Sequence, residues 1–365
     1  MSAIVKRVRT DPRKRRIFIS DIHGNLALLE RLLGDIRYCE DDELYLLGDY
    51  IERGEQSLAT LRAVAKLCEG GRVHAISGNW DCLWQDVRPE GKFHDDLVRF
   101  ALRRPNSLFR DMAGEIGFPL APDTPTKAFS AALRASFSAE FAFLSDLAHI
   151  IETDEFVLAH AGLDSLELEK QDPERVMKRD AFLRTAPRFT KNVIVGHFPV
   201  QNYCDGVCSC NPVFDFQKRV ISIDGGNAVK LEGQLNALIL RDGEFSFHGV
   251  DALPTASVRH GQKAGARPLT INWESRFVEL LERRERDSLC RHIASGRILS
   301  IEQEFLFCQQ GRLCAEYTDY ALELEPGDQV SVARRMDGRT LVKRGGVIGW
   351  ANNDCIDWDS LSPNR

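Results

Sequence analysis

The sequence predicts an α/β domain followed by a small all-β domain. Residues 17–19 form a short apolar run typical of a buried strand, and leucines at helical spacing follow between residues 26 and 33. Similar apolar runs recur through the first 250 residues, and a polar loop follows each of five of them. After about residue 270, short alternating runs separated by turn signals replace this pattern and favour strands throughout.

Composition indicates an ordinary soluble globular protein. The 365 residues are 43% hydrophobic and 28% charged, and the net charge of -6 provides no general attraction to nucleic acid or anionic lipid. No run of about 20 apolar residues and no signal-peptide pattern is present, so we expect a cytoplasmic protein with reduced cysteines and no membrane partner. We expect the basic residues 1–16 to form a solvated leader, with an electrostatic tether as the alternative.

The loop after the first strand brings a carboxylate and an imidazole together. Asp21 and His23 stand two residues apart, directly after the run at 17–19. This places them at the carboxyl end of a strand, where ligands gather in α/β sheets. A carboxylate and an imidazole together suit a divalent metal ion.

The second and third strands end in oxygen ligands. Residues 44–47 precede a loop that contains Asp49 and Arg53, and residues 73–76 precede Asn79. The guanidinium fork of Arg53 suits a phosphate or carboxylate, although a salt bridge to a neighbouring glutamate would also account for it.

The fourth and fifth strands end in histidines. Residues 156–159 lead into His160, and residues 193–195 lead into His197. A single histidine at a strand end is more often structural, but two of them after three acidic or amide strand ends favour a metal site. Asp224, after a further strand at 220–223, is expected to be structural.

Two further regions surround this pattern. Residues 84–147 carry apolar residues at helical spacing, notably at 95–103 and 127–143, and predict a helical insertion over the site. Strands at 237–240 and 245–250 are expected to close the domain.

Three nearby thiols are interpreted as reduced loop cysteines, with a zinc site or a redox pair as alternatives. They are Cys204, Cys208 and Cys210.

The remainder of the chain predicts a linker and a barrel. Residues 251–269 contain prolines and glycines among polar residues, as linkers do. Residues 270–365 predict a small all-β barrel without a grouping of candidate catalytic residues.

Taken together, the strand ends supply enough ligands for two metal ions that share one carboxylate, Asp49. Two ions so placed clamp a phosphoryl oxygen and lower the pKa of a bridging water. Arg53 would then neutralise the charge that builds on the phosphate. The predicted ligands are Asp21, His23, Asp49, Asn79, His160 and His197.

These motifs resemble those of the calcineurin-like metallophosphoesterases, in the same order over about residues 15–250. The run Gly-Asp-Tyr-Ile-Glu-Arg-Gly at 48–54 is similar to that of the PPP-type serine/threonine phosphatase branch, including its bacterial and diadenosine-tetraphosphatase-like members. The resemblance implies a two-sheet αββα sandwich and a dinuclear centre of manganese, the expected metal, or of iron or zinc. It implies one metal on Asp21, His23 and Asp49, and the other on Asp49, Asn79, His160 and His197.

The C-terminal barrel, residues 270–365, resembles a bacterial SH3-like domain. This resemblance implies a peptide, a cell-wall fragment or the protein's own catalytic domain as its ligand.

The sequence departs from the family pattern at two positions. Trp80 stands where the family usually has a histidine that contacts substrate or protonates the leaving group, and Glu52 stands where the PPP branch has that histidine's aspartate partner. An indole donates one hydrogen bond but cannot act as a general acid. Three outcomes follow: the substrates have good leaving groups, the enzyme is a phosphodiesterase, or Glu52, Asp81 or a residue of the insertion supplies the proton.

We therefore predict a metal-dependent phosphoesterase in which a metal-bound hydroxide attacks phosphorus directly. Its substrate would be a phosphoprotein or a nucleotide. A phosphomonoesterase, such as a serine/threonine protein phosphatase, is the first interpretation, and a phosphodiesterase or dinucleoside polyphosphate hydrolase is the second. A weakly active sensor of metal and phospholigand is a third, whereas a nucleic-acid binder is disfavoured by the acidic composition. The predicted catalytic residues are Asp49, Arg53 and Glu52, and the predicted substrate contacts are Arg53, Trp80 and Asp81.

Overall fold

A computed structural model describes residues 2–307 and 313–363, which form two compact units. The first unit contains the chain up to Pro199 and the segment Pro212–Val250. The second contains Val200–Asn211 and the chain from Asp251 onward. Residue 1 of the expected leader, and residues 308–312 and 364–365 of the expected barrel, lie outside the described residues.

Two sheets form the centre of the first unit. Both are mixed, and in each the strands that precede the candidate ligands run parallel as neighbours. The first sheet has, in spatial order, the strands Val5–Arg7, Ile150–Glu152, Phe156–Ala159, Asn192–Val195, Val220–Ser222 and Val213–Asp215. The second sheet has the strands Glu244–Val250, Leu235–Arg241, Arg16–Ile19, Glu43–Leu46 and Val73–Ala75.

Successive side chains in the second sheet point to opposite faces, and each face packs against a different hydrophobic core. Ile17 and Ile19 belong to the core beneath the helices, whereas Phe18 between them belongs to the core between the two sheets. There Phe18 stacks on Tyr45 with ring centroids 5.3 Å apart, and Phe156 of the first sheet meets both rings edge-on. The period-2 pattern of a strand therefore produces the mixed α/β layering, because it gives the second sheet two apolar faces.

Eight α-helices occur in the described part of the first unit, and four of them lie in the range expected to be a helical insertion. The expected helix at 127–143 is instead two helices, which are separated at the buried Phe137. The helices are α1 (Leu26–Asp35), α2 (Ser57–Cys68), α3 (Leu97–Arg103), α4 (Leu108–Glu115), α5 (Thr126–Ser136), α6 (Ser138–Asp146), α7 (Pro173–Met177) and α8 (Phe182–Thr185). No helix in the described ranges is long and apolar enough to cross a membrane.

The second unit is built of strands and short turns of 3-10 helix. Its main sheet is antiparallel throughout. In spatial order it contains Ile356–Ser362, Thr255–Val258, Gln329–Arg335, Arg339–Arg344, Val347–Asn352 and Cys208–Ser209. A three-stranded sheet contains Val278–Arg283, Asp287–His292 and Ile298–Glu302, and two further pairs join Thr270–Ile271 to Tyr317–Thr318 and Leu306–Phe307 to Leu313–Cys314. A small all-β unit is thus present, and its likeness to SH3-like domains stays a prediction.

Three segments differ from the sequence expectations. The leader contains the strand Val5–Arg7, which pairs in parallel with Ile150–Glu152 rather than lying in solvent. The expected linker 251–269 contains the strand Thr255–Val258, which is paired on both sides. The cysteine loop belongs to the second unit, because Cys208–Ser209 pairs with Val347–Asn352. In each case a partner far along the chain supplies the hydrogen bonds that make the segment a strand.

Candidate metal centre

The loops that carry the candidate ligands follow parallel neighbouring strands. In the second sheet, Arg16–Ile19 lies beside Glu43–Leu46, which in turn lies beside Val73–Ala75. In the first sheet, Phe156–Ala159 lies beside Asn192–Val195. The carboxyl ends of parallel strands meet at one edge, so residues distant in sequence are brought together there.

One group of candidate ligands contains Asp21, His23 and Asp49, all buried, with their ligand atoms within 4.8 Å of one another. The Nε2 atom of His23 lies 3.8 Å from Oδ1 of Asp21 and 3.9 Å from Oδ2 of Asp49. Its Nδ1 atom lies 3.3 Å from the carbonyl oxygen of Ile51. Because a carbonyl only accepts, Nδ1 must donate there, and the lone pair of the neutral ring is left on Nε2, facing the carboxylates.

A second group contains Asp49, His160 and His197, with the same upper limit on the distances. The Nδ1 atom of His160 donates to the carbonyl oxygen of Leu47 at 2.7 Å, and its Nε2 atom lies 3.4 Å from Oδ2 of Asp49. The ring centroids of His160 and His197 are 5.2 Å apart. The Nε2 atom of His197 lies 3.4 Å from Oδ1 of Asp180. Asp49 therefore belongs to both groups, as the sequence motifs predict.

The pKa values at this edge reflect buried charge. Burial raises the pKa of Asp21 to about 6, and the neighbouring carboxylate of Asp49 adds to this effect. For Asp49 itself, burial acts to raise the pKa, but the neighbouring His160, His23 and His197 together hold it well below its usual range. Buried carboxylates that face one another need a positive charge between them.

The donor atoms fit a divalent metal pair. Three of them are buried and have no hydrogen-bond partner within the described ranges: Oδ1 of Asp21, Oδ1 of Asn79 and Nε2 of His160. Each unsatisfied buried atom costs about 1–3 kcal/mol. Oxygen and imidazole donors in this mixture suit manganese, iron or zinc.

Four of the six candidate ligands lie on strained backbone. Asp21, His23, Asp49 and His197 have φ angles of 56°, 50°, 56° and 66°, in the left-handed region. Such residues cost about 1–3 kcal/mol each and persist only where the surrounding structure fixes them. Their side chains are therefore aimed by the fold and not by local preference.

Two glycines of the motifs are required by close packing against the ligands. A Cβ atom at Gly196 would lie 1.8 Å from Oγ of Ser20 and 2.3 Å from Oδ2 of Asp21. A Cβ atom at Gly78 would lie 2.2 Å from Oδ1 of Asp49. The Gly-His and Gly-Asn pairs in the sequence thus have a steric reason, because a larger residue than glycine would collide with Asp21 or Asp49.

Asp81 was expected to contact substrate or supply a proton, and the structure gives it a different role. Its Oδ2 atom accepts hydrogen bonds from the backbone N–H groups of Asp49 at 2.7 Å and Gly78 at 2.8 Å, and its Oδ1 atom accepts from Tyr50 at 3.0 Å. The residue is fully buried, and burial raises its pKa to about 7. Asp81 therefore clamps the second and third ligand loops together.

Glu52 was expected to be catalytic, and it too is engaged elsewhere. Its Oε1 atom accepts from Oγ of Ser107 at 3.1 Å and from the N–H of Leu108 at 2.8 Å, at the first turn of α4. Its Oε2 atom lies 3.9 Å from Arg104. A carboxylate at a helix N-terminus satisfies donors that lack intrahelical partners. Glu52 therefore fastens the insertion to the ligand loop.

Trp80 and Arg53 lie together beside the ligands. The backbone N–H of Trp80 donates to Oδ1 of Asp49 at 2.9 Å, and the side chain of Trp80 is half-buried. The guanidinium carbon of Arg53 lies 5.3 Å from the centroid of the indole, and that of Arg104 lies 4.5 Å from it. Sequence reasoning missed Arg104, because no motif marks a single arginine within the insertion.

Asp224 is a further buried acid near the ligands. Its Oδ1 atom accepts from the N–H of Gly226 at 2.7 Å, as expected of a structural residue, whereas its Oδ2 atom has no partner in the described part of the chain. Burial and the neighbouring Asp21 raise its pKa to about 8. Its position directly after a strand was the one signal in the sequence.

Comparison with known proteins identifies the family. The family model described as calcineurin-like phosphoesterase matches residues 14–221, which is more than half of the chain. A symmetrical bis(5'-nucleosyl)-tetraphosphatase from Ralstonia nicotianae is 43% identical over 63 residues, which cover 17% of this chain and 22% of that protein. The asymmetrical bis(5'-nucleosyl)-tetraphosphatase of Bacillus velezensis is 28% identical over 167 residues, or 42% of this chain and 58% of that protein.

The chain therefore spans only about a quarter to just over half of the length of these curated relatives. A solved structure of a protein serine/threonine phosphatase from Saccharomyces cerevisiae is 11% identical, with a TM-score of 0.42. That match covers 69% of this chain and 85% of the yeast chain, and it concerns the fold alone.

Replacing Gly196 with alanine is expected to weaken metal binding. The new Cβ would displace Ser20 and Asp21, and changes to groups that orient metal ligands typically cost about 10- to 100-fold in metal affinity. The measurement is the manganese content of the purified variant after equilibrium dialysis. Gly34→Ala in α1 is the matched control, because a Cβ there meets no atom within 4 Å. Equal manganese content in Gly196→Ala and the wild type would contradict the geometry.

The stability of the protein is expected to depend on the ionisation of Glu52. Burial raises the folded-state pKa of Glu52 from 4.5 to about 7, so the folded state retains a proton that the unfolded state has released. Stability from this group is fully present below about pH 4.5 and is lost as the pH rises through about 7, by about 3 kcal/mol in all.

Glu52→Gln cannot titrate and keeps an acceptor for Ser107 and Leu108. Between pH 5 and pH 8, its free energy of unfolding, measured by urea denaturation, should therefore fall less than that of the wild type. The exposed Glu55→Gln in the same loop is the control and should follow the wild type. Identical pH profiles for Glu52→Gln and the wild type would show that Glu52 is ionised throughout.

Proposed function

The chain belongs to the calcineurin-like phosphoesterase family, and on this premise we propose that it hydrolyses phosphoanhydride bonds of nucleoside polyphosphates, with dinucleoside polyphosphates as the leading substrate class. The family makes it a metal-dependent phosphoric ester hydrolase. The observation that carries the choice of substrate is the identity of residue 80: a tryptophan, whose backbone N–H donates to Asp49, stands at the position where the family motif supplies a proton donor.

The metal ligands we assign are the six strand-end residues. One ion would be held by Asp21 and His23, and the other by Asn79, His160 and His197. Asp49 would bind both ions. Divalent ions bound there would neutralise phosphoryl oxygens and make water acidic enough to act as a nucleophile. The exposed Arg53, on the same loop as Asp49, is placed to bind the phosphate undergoing attack.

The leaving group decides between phosphate substrates. Trp80 cannot donate a catalytic proton, and Asp81 and Glu52 are occupied with backbone and helix contacts. Missing general-acid help costs about 100- to 10,000-fold when the leaving group needs a proton, as a serine alkoxide does. The phosphate end of a nucleotide leaves as a stable anion and does not need that proton.

This argument changes the order of the sequence interpretations. A serine/threonine protein phosphatase, the first of them, requires protonation of an alkoxide and moves below the anhydride hydrolase. The two relatives named as tetraphosphatases favour the same order, although the matches cover only part of those proteins. A phosphodiesterase and a non-catalytic sensor remain as outcomes of the test.

We expect the manganese-loaded protein to hydrolyse a dinucleoside tetraphosphate at least about 100-fold faster than a phosphoserine peptide, by kcat/KM. Among aryl monoesters, the rate should fall steeply from nitrophenyl to phenyl phosphate, because nothing protonates the departing oxygen. Released products are quantified by chromatography or absorbance. Asp49→Asn, which removes the carboxylate shared by both groups, should abolish every activity.

The alternatives give different results in the same assays. Comparable rates on the phosphoserine peptide and the tetraphosphate would contradict the proposal and indicate another proton donor. A preference for bis-aryl diesters would indicate a phosphodiesterase. Bound manganese without turnover of any substrate would indicate a sensor.

A further inference from the structure

Arg104 lies where the helical insertion meets the ligand loop. Helix α3 ends at Arg103, and Pro105 disfavours helical backbone at Arg104, which adopts φ -115° and ψ 104°. The extended conformation turns the chain between α3 and α4 at this point. Arg104 therefore reaches Trp80 and Glu52 from a segment separate from the loop that carries Arg53.

Aromatic rings and one carboxylate hold the guanidinium of Arg104 in place. Its central carbon lies 4.5 Å from the centroid of Trp80 and 4.8 Å from that of Phe100. Its Nη1 atom is 3.9 Å from Oε2 of Glu52, and its side chain is still 42% exposed. Guanidinium planes stack on aromatic faces while their N–H edges remain available. Arg104 is thus oriented in advance and open on one side.

Arg53 contacts the same indole, with its guanidinium carbon 5.3 Å from the centroid. Over residues 2–307 and 313–363, neither guanidinium donates a hydrogen bond to the protein. Glu52 is the acidic side chain near these two positive charges, and it lies 3.9 Å from Arg104. Two sets of five N–H donors are therefore presented around Trp80, beside Asp49. Such an arrangement suits an anion with more than one phosphate.

We propose that Arg104 is a specificity-determining residue that binds the phosphate adjacent to the one undergoing attack. Arg53, on the ligand loop, would bind the attacked phosphate, and Arg104, which contacts the same indole, would bind the next phosphate of the substrate. The inference rests on the proposed function and extends it from anhydride hydrolysis to a requirement for two consecutive phosphates. A substrate with one phosphate would leave Arg104 unused.

The test compares the binding of ADP, used as its non-hydrolysable α,β-methylene analogue, with that of AMP, which has one phosphate fewer, to the full-length manganese-loaded protein by isothermal titration calorimetry. The wild type should bind ADP at least about 10-fold more tightly than AMP, and Arg104→Met should remove this preference. Methionine keeps an apolar stem against the aromatic rings and removes the charged fork. Every variant is titrated with the same nucleotide solutions, which contain manganese in excess. Binding of manganese by the nucleotide therefore affects all variants equally and does not change the differences between them.

Arg103→Met is the matched control, because it removes the neighbouring exposed charge and should change both affinities by less than about 2-fold. Arg104→Lys keeps the charge without the planar fork and should recover only part of the preference. Thermal unfolding of each variant checks that the fold is intact.

Several outcomes would overturn the inference. A wild type without preference for ADP, including one that binds neither nucleotide, would do so. If Arg104→Met lowers the affinities for ADP and AMP equally, Arg104 is a packing residue. If Arg103→Met lowers the preference for ADP as much as Arg104→Met does, Arg104 acts only through its positive charge and not by direct contact. The proposed function fails separately: if the preference depends on Arg104 but dinucleoside tetraphosphate is not hydrolysed, the phosphate subsite stands and the assigned reaction does not.

Discussion

The carboxylate of Asp49 is the point on which the site depends. Its Oδ1 atom accepts from the backbone of Trp80, its Oδ2 atom faces His160 and His23, and its own backbone N–H is held by Asp81. With Asp21 and Asp224, the edge of the sheets buries several acids around one imidazole whose pKa is raised. Burying so much negative charge is costly without cations. The fold therefore supplies, by its own electrostatics, the reason for a pair of divalent ions.

Glu52 joins the ligand loop to the insertion, together with a hydrogen bond that Nδ2 of Asn106 donates to the carbonyl oxygen of Arg53. In the resembled motif this position serves the proton donor, whereas here its carboxylate accepts from Ser107 and from the first turn of α4. The longer side chain of glutamate satisfies helix donors that would otherwise be unpaired. One consequence is that the insertion is anchored at the metal centre, and Arg104 with it. The change at Glu52 and the change at Trp80 thus belong to the same rearrangement.

The sequence was sufficient to predict which side chains lie together as candidate ligands, because apolar runs define the parallel strands and the loops after these strands meet at a common edge. It was insufficient wherever a partner lies far along the chain. The sequence leaves Asp81 available for substrate, whereas in the structure its carboxylate accepts from the backbone N–H groups of Asp49 and Tyr50. The role of Glu52 depends on Ser107 and Leu108, which lie 55 and 56 residues away. The strands Val5–Arg7 and Thr255–Val258 likewise depend on distant partners, and their own composition indicated a leader and a linker.

Proton donation and the binding of several phosphates place opposite demands on position 80. An imidazole held between Arg53 and Arg104 would face two positive charges, which lower its pKa and leave it without a proton near neutral pH. An indole gains from the same neighbours, because its ring face attracts guanidinium groups. A cluster of arginines at this position is therefore compatible with tryptophan and poorly compatible with a catalytic histidine. Arginines at this position favour the binding of anions and disfavour a protonated histidine, which is consistent with the proposed reaction, in which the leaving group is itself a phosphate.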